Sequence, residues 1–293
     1  MSQKRDQTWK LITEPFHQKL HEAMQQQHHA AQFIALAGRH LIPRLPDDSN
    51  TSMKYIPERE MLVGNRLPGG IRIALHLPGL VLQLLDDHFD VKKKLPLEGK
   101  SKSRVFEEVK QMLGDSGLDV SSLKNELHYE IPSHPLEDGS PFTVQDAGSF
   151  SENSLYRQNA EIILNDIVAA HDHTPPVRVW PHHFDTGMLI PLAFNEENKV
   201  SKSIGLGWAI PDSMVKEPYY YLNIWSEKPV NGFNNLSSLP AGEWMNPDWN
   251  GAVLKHSELL DRTGPEQQYE LVQLFFNSGI DILMEKFSSG ERK

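Results

Sequence analysis

The sequence predicts an α+β fold, a mostly antiparallel sheet with long flanking helices. Three observations carry this. Ile71, Ile73, Leu75 and Leu77 alternate with Arg72, Ala74 and His76 in the period of a half-buried strand. Four strand-length segments follow one another between Val177 and Ser226 with no helical pattern between them, and helical periodicity flanks the strands in both halves of the chain.

Taken in order, Trp9, Ile12, Phe16, Ala23, Ala30, Ile34 and Ala37 share one face of a helix expected from Asp6 to Leu41. Pro15 marks a break in it, Thr13 can cap the part that follows, and Gly38 lies near its end. Residues 43–60, rich in Pro, Asp and Ser, read as loop. Leu80–Leu85 is a second strand beyond the Pro78-Gly79 turn, and Ser103 opens a helix carrying Val105, Val109 and Met112. Residues 130–150 form a connection. Beyond it Ser154 caps a helix with Tyr156, Ile163, Ile167 and Ala170 on one face, and strands are expected at Val177–Trp180, His183–Leu192, Ile204–Ala209 and Tyr219–Ser226. Thr263-Gly264-Pro265-Glu266 has the spacing of a capping box before a last apolar helix. Both parts run helix, strands, helix, so two halves at 1–140 and 150–293 are expected, packed separately or as one domain. The echo of Ala35, His40 and Pro43 in Val168, His173 and Pro176 suggests a duplication.

Composition narrows the function. A formal charge of −10 argues against nucleic-acid binding, which draws on clustered Lys and Arg; the one basic run, Lys92, Lys93, Lys94, Lys100, Lys102 and Arg104, reads as a solvated charged loop. The absence of cysteine removes disulfides, thiolate nucleophiles and Cys-based metal sites, leaving His, Asp and Glu as ligands. No apolar run reaches the roughly 18–20 residues that span a bilayer, and the first residues hold no apolar signal core. A cytoplasmic protein with no membrane partner is expected.

The densest group of chemistry-bearing residues is His171-Asp172-His173 with Trp180-Pro181-His182-His183-Phe184-Asp185. On a regular strand, His183 and Asp185 share a face with Gly187, while His182 falls with Phe184, Thr186, Met188 and Ile190, a face that reads as core. His171, His173, His183 and Asp185 are therefore the candidate ligands of a divalent metal ion, although the helical H-E-x-x-H pattern is absent. The plainer alternative places His171 and His173 against the negative end of a helix dipole and pairs His183 with Asp185 structurally. His17, His21 and His28 lie within about 40° on a helical wheel and read as an exposed polar face. Alternation places Tyr219, Tyr221, Asn223 and Trp225 on one strand face, apolar bodies with polar tips of the kind that line small-molecule pockets, with Trp244 and Trp249 as walls. No nucleophile elbow, phosphate-binding loop or dinucleotide fingerprint occurs in the required context.

Across Pro176–Asp185 the sequence resembles a bacterial family of about 300 residues catalogued as a domain of unknown function, with a W-P-x-H-F-D strand motif. The resemblance extends to the Gly/Trp and Tyr-rich strands and the order of helices. It implies a similar duplicated architecture and gives Asp185 more weight than His182 or His183, because the aromatic-Phe-Asp pattern recurs in that family and the His pair does not always.

The expected function is small-molecule binding, or a small enzyme, with a pocket at Trp180, His183, Asp185, Tyr219, Tyr221 and Trp225. A metal-dependent hydrolase built on the His/Asp set is one alternative. A non-catalytic interaction protein, for instance a homodimer, is the other.

Overall fold

In the computed structural model, the described residues are 8–287 apart from 231, 232 and 248. The fold class is α+β, with helices set against antiparallel strands. No helix among the described residues is long and apolar enough to cross a membrane. The chain divides into two compact units.

The first unit comprises His17–Arg157 and Arg178–Phe184. Its strands are β1 (Met53–Ile56), β2 (Met61–Gly64), β3 (Arg72–His76), β4 (Val81–Leu85), β5 (Val91–Pro96) and β6 (Arg178–Trp180), in the order β6-β1-β2-β3-β4-β5. β3 and β4 pair antiparallel in the register Ile73↔Leu84. β1 lies inside the stretch expected as loop; its Met53 and Tyr55 are buried and Lys54 between them is exposed, an alternation too short to stand out in a polar segment. The lysine run is no loop either, since Lys92, Lys93 and Lys94 occupy edge strand β5. Lysines suit an edge because they discourage a further strand from pairing there.

Helix α1 (Gln18–Leu41) packs against β2 and β3. It starts later than the periodicity implies. His17 is its cap, its Nδ1 accepting the Leu20 N–H at 3.1 Å, and Thr13 lies outside the helix. Close packing requires Gly64 on β2, where a Cβ would stand 2.4 Å from Ile34 Cγ2. Helix α2 (Lys102–Asp115) is capped by Ser101 and buries Val105, Val109 and Met112 as its spacing predicts. Helix α3 (Ala147–Ala170) begins before Ser154, so that serine lies within the helix; the unit boundary passes between Arg157 and Gln158.

The second unit gathers Gln158–Val177 with the described parts of Met1–Phe16 and Asp185–Lys293. Its strands are β7 (Asp185–Phe194), β8 (Val200–Ala209), β9 (Tyr219–Ser226), β10 (Glu243–Trp244) and β11 (Gly251–Lys255), ordered β10-β11-β9-β8-β7. One face, with Met188, Ile190, Leu206, Trp208, Tyr220 and Leu222, is buried. Against these strands packs α5 (Pro265–Phe287), with Phe276 edge-on to Tyr220 at 5.9 Å and Gly279 so close to Leu222 that a Cβ would stand 2.3 Å from its Cδ2. Burying each large apolar side chain here contributes about 1.5–3 kcal/mol over leaving it exposed. The capping contact before α5 comes from Gln267, whose Oε1 accepts the Thr263 N–H at 3.1 Å, rather than from Glu266. A short helix, α4 (His256–Leu259), follows β11. Residues 8–16, expected to be helical, are not. Gln268 binds both backbone groups of Ile12, accepting from its N–H at 2.9 Å and donating to its carbonyl at 2.7 Å.

Candidate functional site

The second unit brings Asp185, Tyr219 and Tyr221 together. β8 lies between β7 and β9, with Gly207 opposite Gly187 on one side and opposite Tyr221 on the other. The Tyr221 side chain crosses β8 over Gly207, and its hydroxyl donates a 2.5 Å hydrogen bond to Asp185 Oδ2. Only glycine allows this route, because a Cβ on Gly207 would stand 2.6 Å from Tyr221 Oη. Burial, followed by the neighbouring Asp185 charge and their hydrogen bond, pushes the Tyr221 phenol well above its ordinary pKa, so it is a donor.

Asp185 is 7 % exposed, and its Oδ1 is buried with no hydrogen-bond partner. A second tyrosine–aspartate pair makes the contrast. Tyr219 donates to Asp212 Oδ2 at 2.6 Å, and Asp212 Oδ1 accepts the Met214 and Val215 N–H groups at 2.8 and 2.9 Å. Asp212 is therefore satisfied on both oxygens as a turn-former, whereas Asp185 keeps one acceptor oxygen unused. Trp249 packs on Tyr221 with ring centroids 6.3 Å apart, while Trp244 packs on Phe233. Trp225 is exposed and, four residues beyond Tyr221, stands roughly 13 Å along β9.

Trp180 and His183 fall in the first unit; Trp180 lies on strand β6 as its pattern predicts, whereas the strand expected from His183 starts later. β7 begins at Asp185, and Pro181–Phe184 is a turn in which Phe184 has φ 55°. Side chains of a turn do not alternate between two faces; His182 is half-buried and His183 exposed, with their ring centroids 4.4 Å apart. Phe184 is held in its left-handed backbone conformation from both sides. His28 stacks on one face of its ring, Arg157 lies over the other with Cζ 3.9 Å from the centroid, and Arg157 Nη2 donates to the Phe184 carbonyl at 2.8 Å.

His171 and His173 stand at the end of α3. His171 Nδ1 donates to the Ile167 carbonyl at 3.0 Å, a C-terminal capping contact, and His173 is exposed with φ 61°. Among the described residues no three His, Asp or Glu side chains group so as to hold a metal ion, so His171, His173, His183 and Asp185 do not form a ligand set.

The helix face of His17, His21 and His28, expected to be exposed, runs from solvent into the interior, with His21 half-buried. His17 is partly exposed, but His28 and His29 are buried, together with Gln25, Gln26, Gln27 and Gln32. The burial is sustained by specific partners. Gln27 Nε2 donates to the Leu77 and Phe150 carbonyls, and its Oε1 accepts from Asn153. His28 Nε2 and Gln32 Nε2 both donate to the Pro181 carbonyl at 2.9 Å. Burial lowers the pKa of each of the two histidines to about 3, so both are neutral. No protein-family profile, curated protein or solved structure matches the chain.

Proposed function

We propose that the chain binds a small polar molecule at the Asp185–Tyr221 face of the second unit. The observation that carries the reading is the half-used carboxylate: Tyr221 fixes Asp185 Oδ2, and Oδ1 is buried without a partner. A carboxylate can only accept hydrogen bonds, so the ligand must present a donor, a hydroxyl or an amine. Trp249, packed on Tyr221, supplies an aromatic surface beside the acceptor. A carboxylate oriented by a neutral phenol is also the geometry of a general base, so the same site supports proton abstraction from a bound hydroxyl or amine.

The test is a ligand-observed NMR screen of hydroxyl- and amine-bearing fragments against the wild type, Asp185→Asn and Tyr221→Phe. Fragments that bind the wild type and weaken roughly tenfold or more on either substitution are expected. Hits indifferent to both substitutions, or no hits on a folded wild type, would sink the proposal.

A further inference from the structure

The first unit contains a cavity of ≈ 490 Å³, within the size range of small-molecule sites. Phe33, Leu36, Leu127, Ile131 and Leu136 give it an apolar strip within a lining that is otherwise mostly polar and includes Gln32, Tyr129, Lys102 and Glu137. It lies under the connection between α2 and α3, residues 116–146, which contains only one short 3-10 turn at Pro135–Asp138. Connections of this length without helix or strand are uncommon in compact domains and usually serve a function. Side-chain contacts tie this one down: Tyr129 donates to Gln32 Oε1 at 2.9 Å, His128 lies 3.1 Å from Asp48, and His134 lies 3.2 Å from Glu22.

The polar end of the cavity already holds a carboxylate. Glu137 Oε1 accepts from Lys102 Nζ and stands 3.1 Å from His29 Nδ1, while Lys102 Nζ is 3.3 Å from the same His29 nitrogen. The ammonium is the recessed partner, its side chain 18 % exposed against 47 % for Glu137. His29 is neutral, which leaves Lys102 as the cation of this cluster. Glu130, at the exposed rim, faces water, where its charge is screened.

We infer that this cavity is a binding site for a monocarboxylic acid with an apolar body, whose carboxylate takes the place of Glu137 on Lys102. The apolar strip fits a short hydrocarbon or aromatic body, which a bare inorganic anion lacks, and the polar remainder of the lining accommodates the acid's head. Glu137 acts as an internal competitor: it satisfies Lys102 while the cavity is empty and swings outward, toward the solvent it already half faces, when a ligand arrives. The site lies wholly within the first unit and is independent of the Asp185 face.

The probes are octanoate and its neutral counterpart octanamide, titrated calorimetrically into the wild type, Glu137→Gln and Lys102→Met. Octanoate is expected to bind the wild type, to bind Glu137→Gln roughly tenfold more tightly because the competitor is gone, and to bind Lys102→Met roughly tenfold more weakly. Octanamide should bind weakly and ignore Glu137→Gln. Equal binding of the two probes, no tightening in Glu137→Gln, or no binding of octanoate to any folded variant would overturn the inference. Because Glu137 is a half-exposed surface residue, its variant keeps the test informative even if Lys102→Met does not fold.

Discussion

His28 lies flat on Phe184, with ring centroids 5.1 Å apart and planes 8° from parallel, and Arg157 covers the opposite face of the same phenyl ring. The arrangement holds a buried aromatic residue in a backbone conformation that L side chains rarely adopt.

Replacing Phe184 with alanine removes both contacts and leaves a hole between a buried imidazole and a buried guanidinium. A loss of about 3–5 kcal/mol is expected from urea denaturation of the Phe184→Ala protein. A loss under about 1 kcal/mol would show that the stack does not hold the turn.

The two buried histidines make stability depend on pH. Both have pKa values of about 3 in the folded chain against an ordinary 6.5, with burial as the main cause. Between these values the unfolded chain binds more protons than the folded one. The histidine contribution is therefore complete above the unfolded value and is lost as pH falls through it toward the folded value, at up to about 1.4 kcal/mol per pH unit for each histidine. Unfolding midpoints measured at about pH 7 and about pH 5 should differ accordingly, and equal midpoints would refute the assignment.

Gln27→Leu preserves approximate size but removes three hydrogen bonds, to Leu77, Phe150 and Asn153. Each group left buried and unpaired costs about 1–3 kcal/mol, so the variant should be less stable than wild type although leucine is as good a helix former and the more hydrophobic residue. A stabilised Gln27→Leu protein would show that the network is not needed.

Gly205 and Gly207 differ in what a methyl group would strike. At Gly205 a Cβ meets the Asn223 side chain at 2.4 Å, whereas at Gly207 it meets the Thr186 backbone carbonyl at 2.6 Å as well as the Tyr221 hydroxyl. Gly205→Ala should cost about 1–3 kcal/mol alone and much less in an Asn223→Ala background. Gly207→Ala should stay costly when Tyr221→Ala is added. Calorimetric melting of the two double-mutant cycles checks both, and equal rescue at the two positions would contradict the geometry.

How much of this was legible in the sequence depended on whether a feature is local. β9 spans Tyr219–Ser226 as the alternation predicts, and the buried positions of α2 follow its spacing. Asp185 and Tyr221 could be picked out by residue type, but their pairing depends on the register of three strands and on the bare backbone at Gly207, neither of which is a local property. The turn before Asp185 was hidden because an aromatic residue is a poor signal for a positive φ. The α1 face misled for a different reason. Gln and His at helical spacing read as solvated, and only the positions of the Leu77, Phe150 and Pro181 carbonyls reveal that protein replaces the water.

Those carbonyls also determine when α1 can dock. A helix seated through leucines tolerates a slip of one turn, about 5.4 Å, at modest cost, but such a slip in α1 would leave Gln27, His28 and Gln32 facing no acceptor. Its acceptors come from positions 77, 150 and 181, so the helix nearest the start of the unit has no settled seat until the chain has been laid down almost to the end of that unit. The amide hydrogens of α1 should therefore exchange only with unfolding of the whole unit.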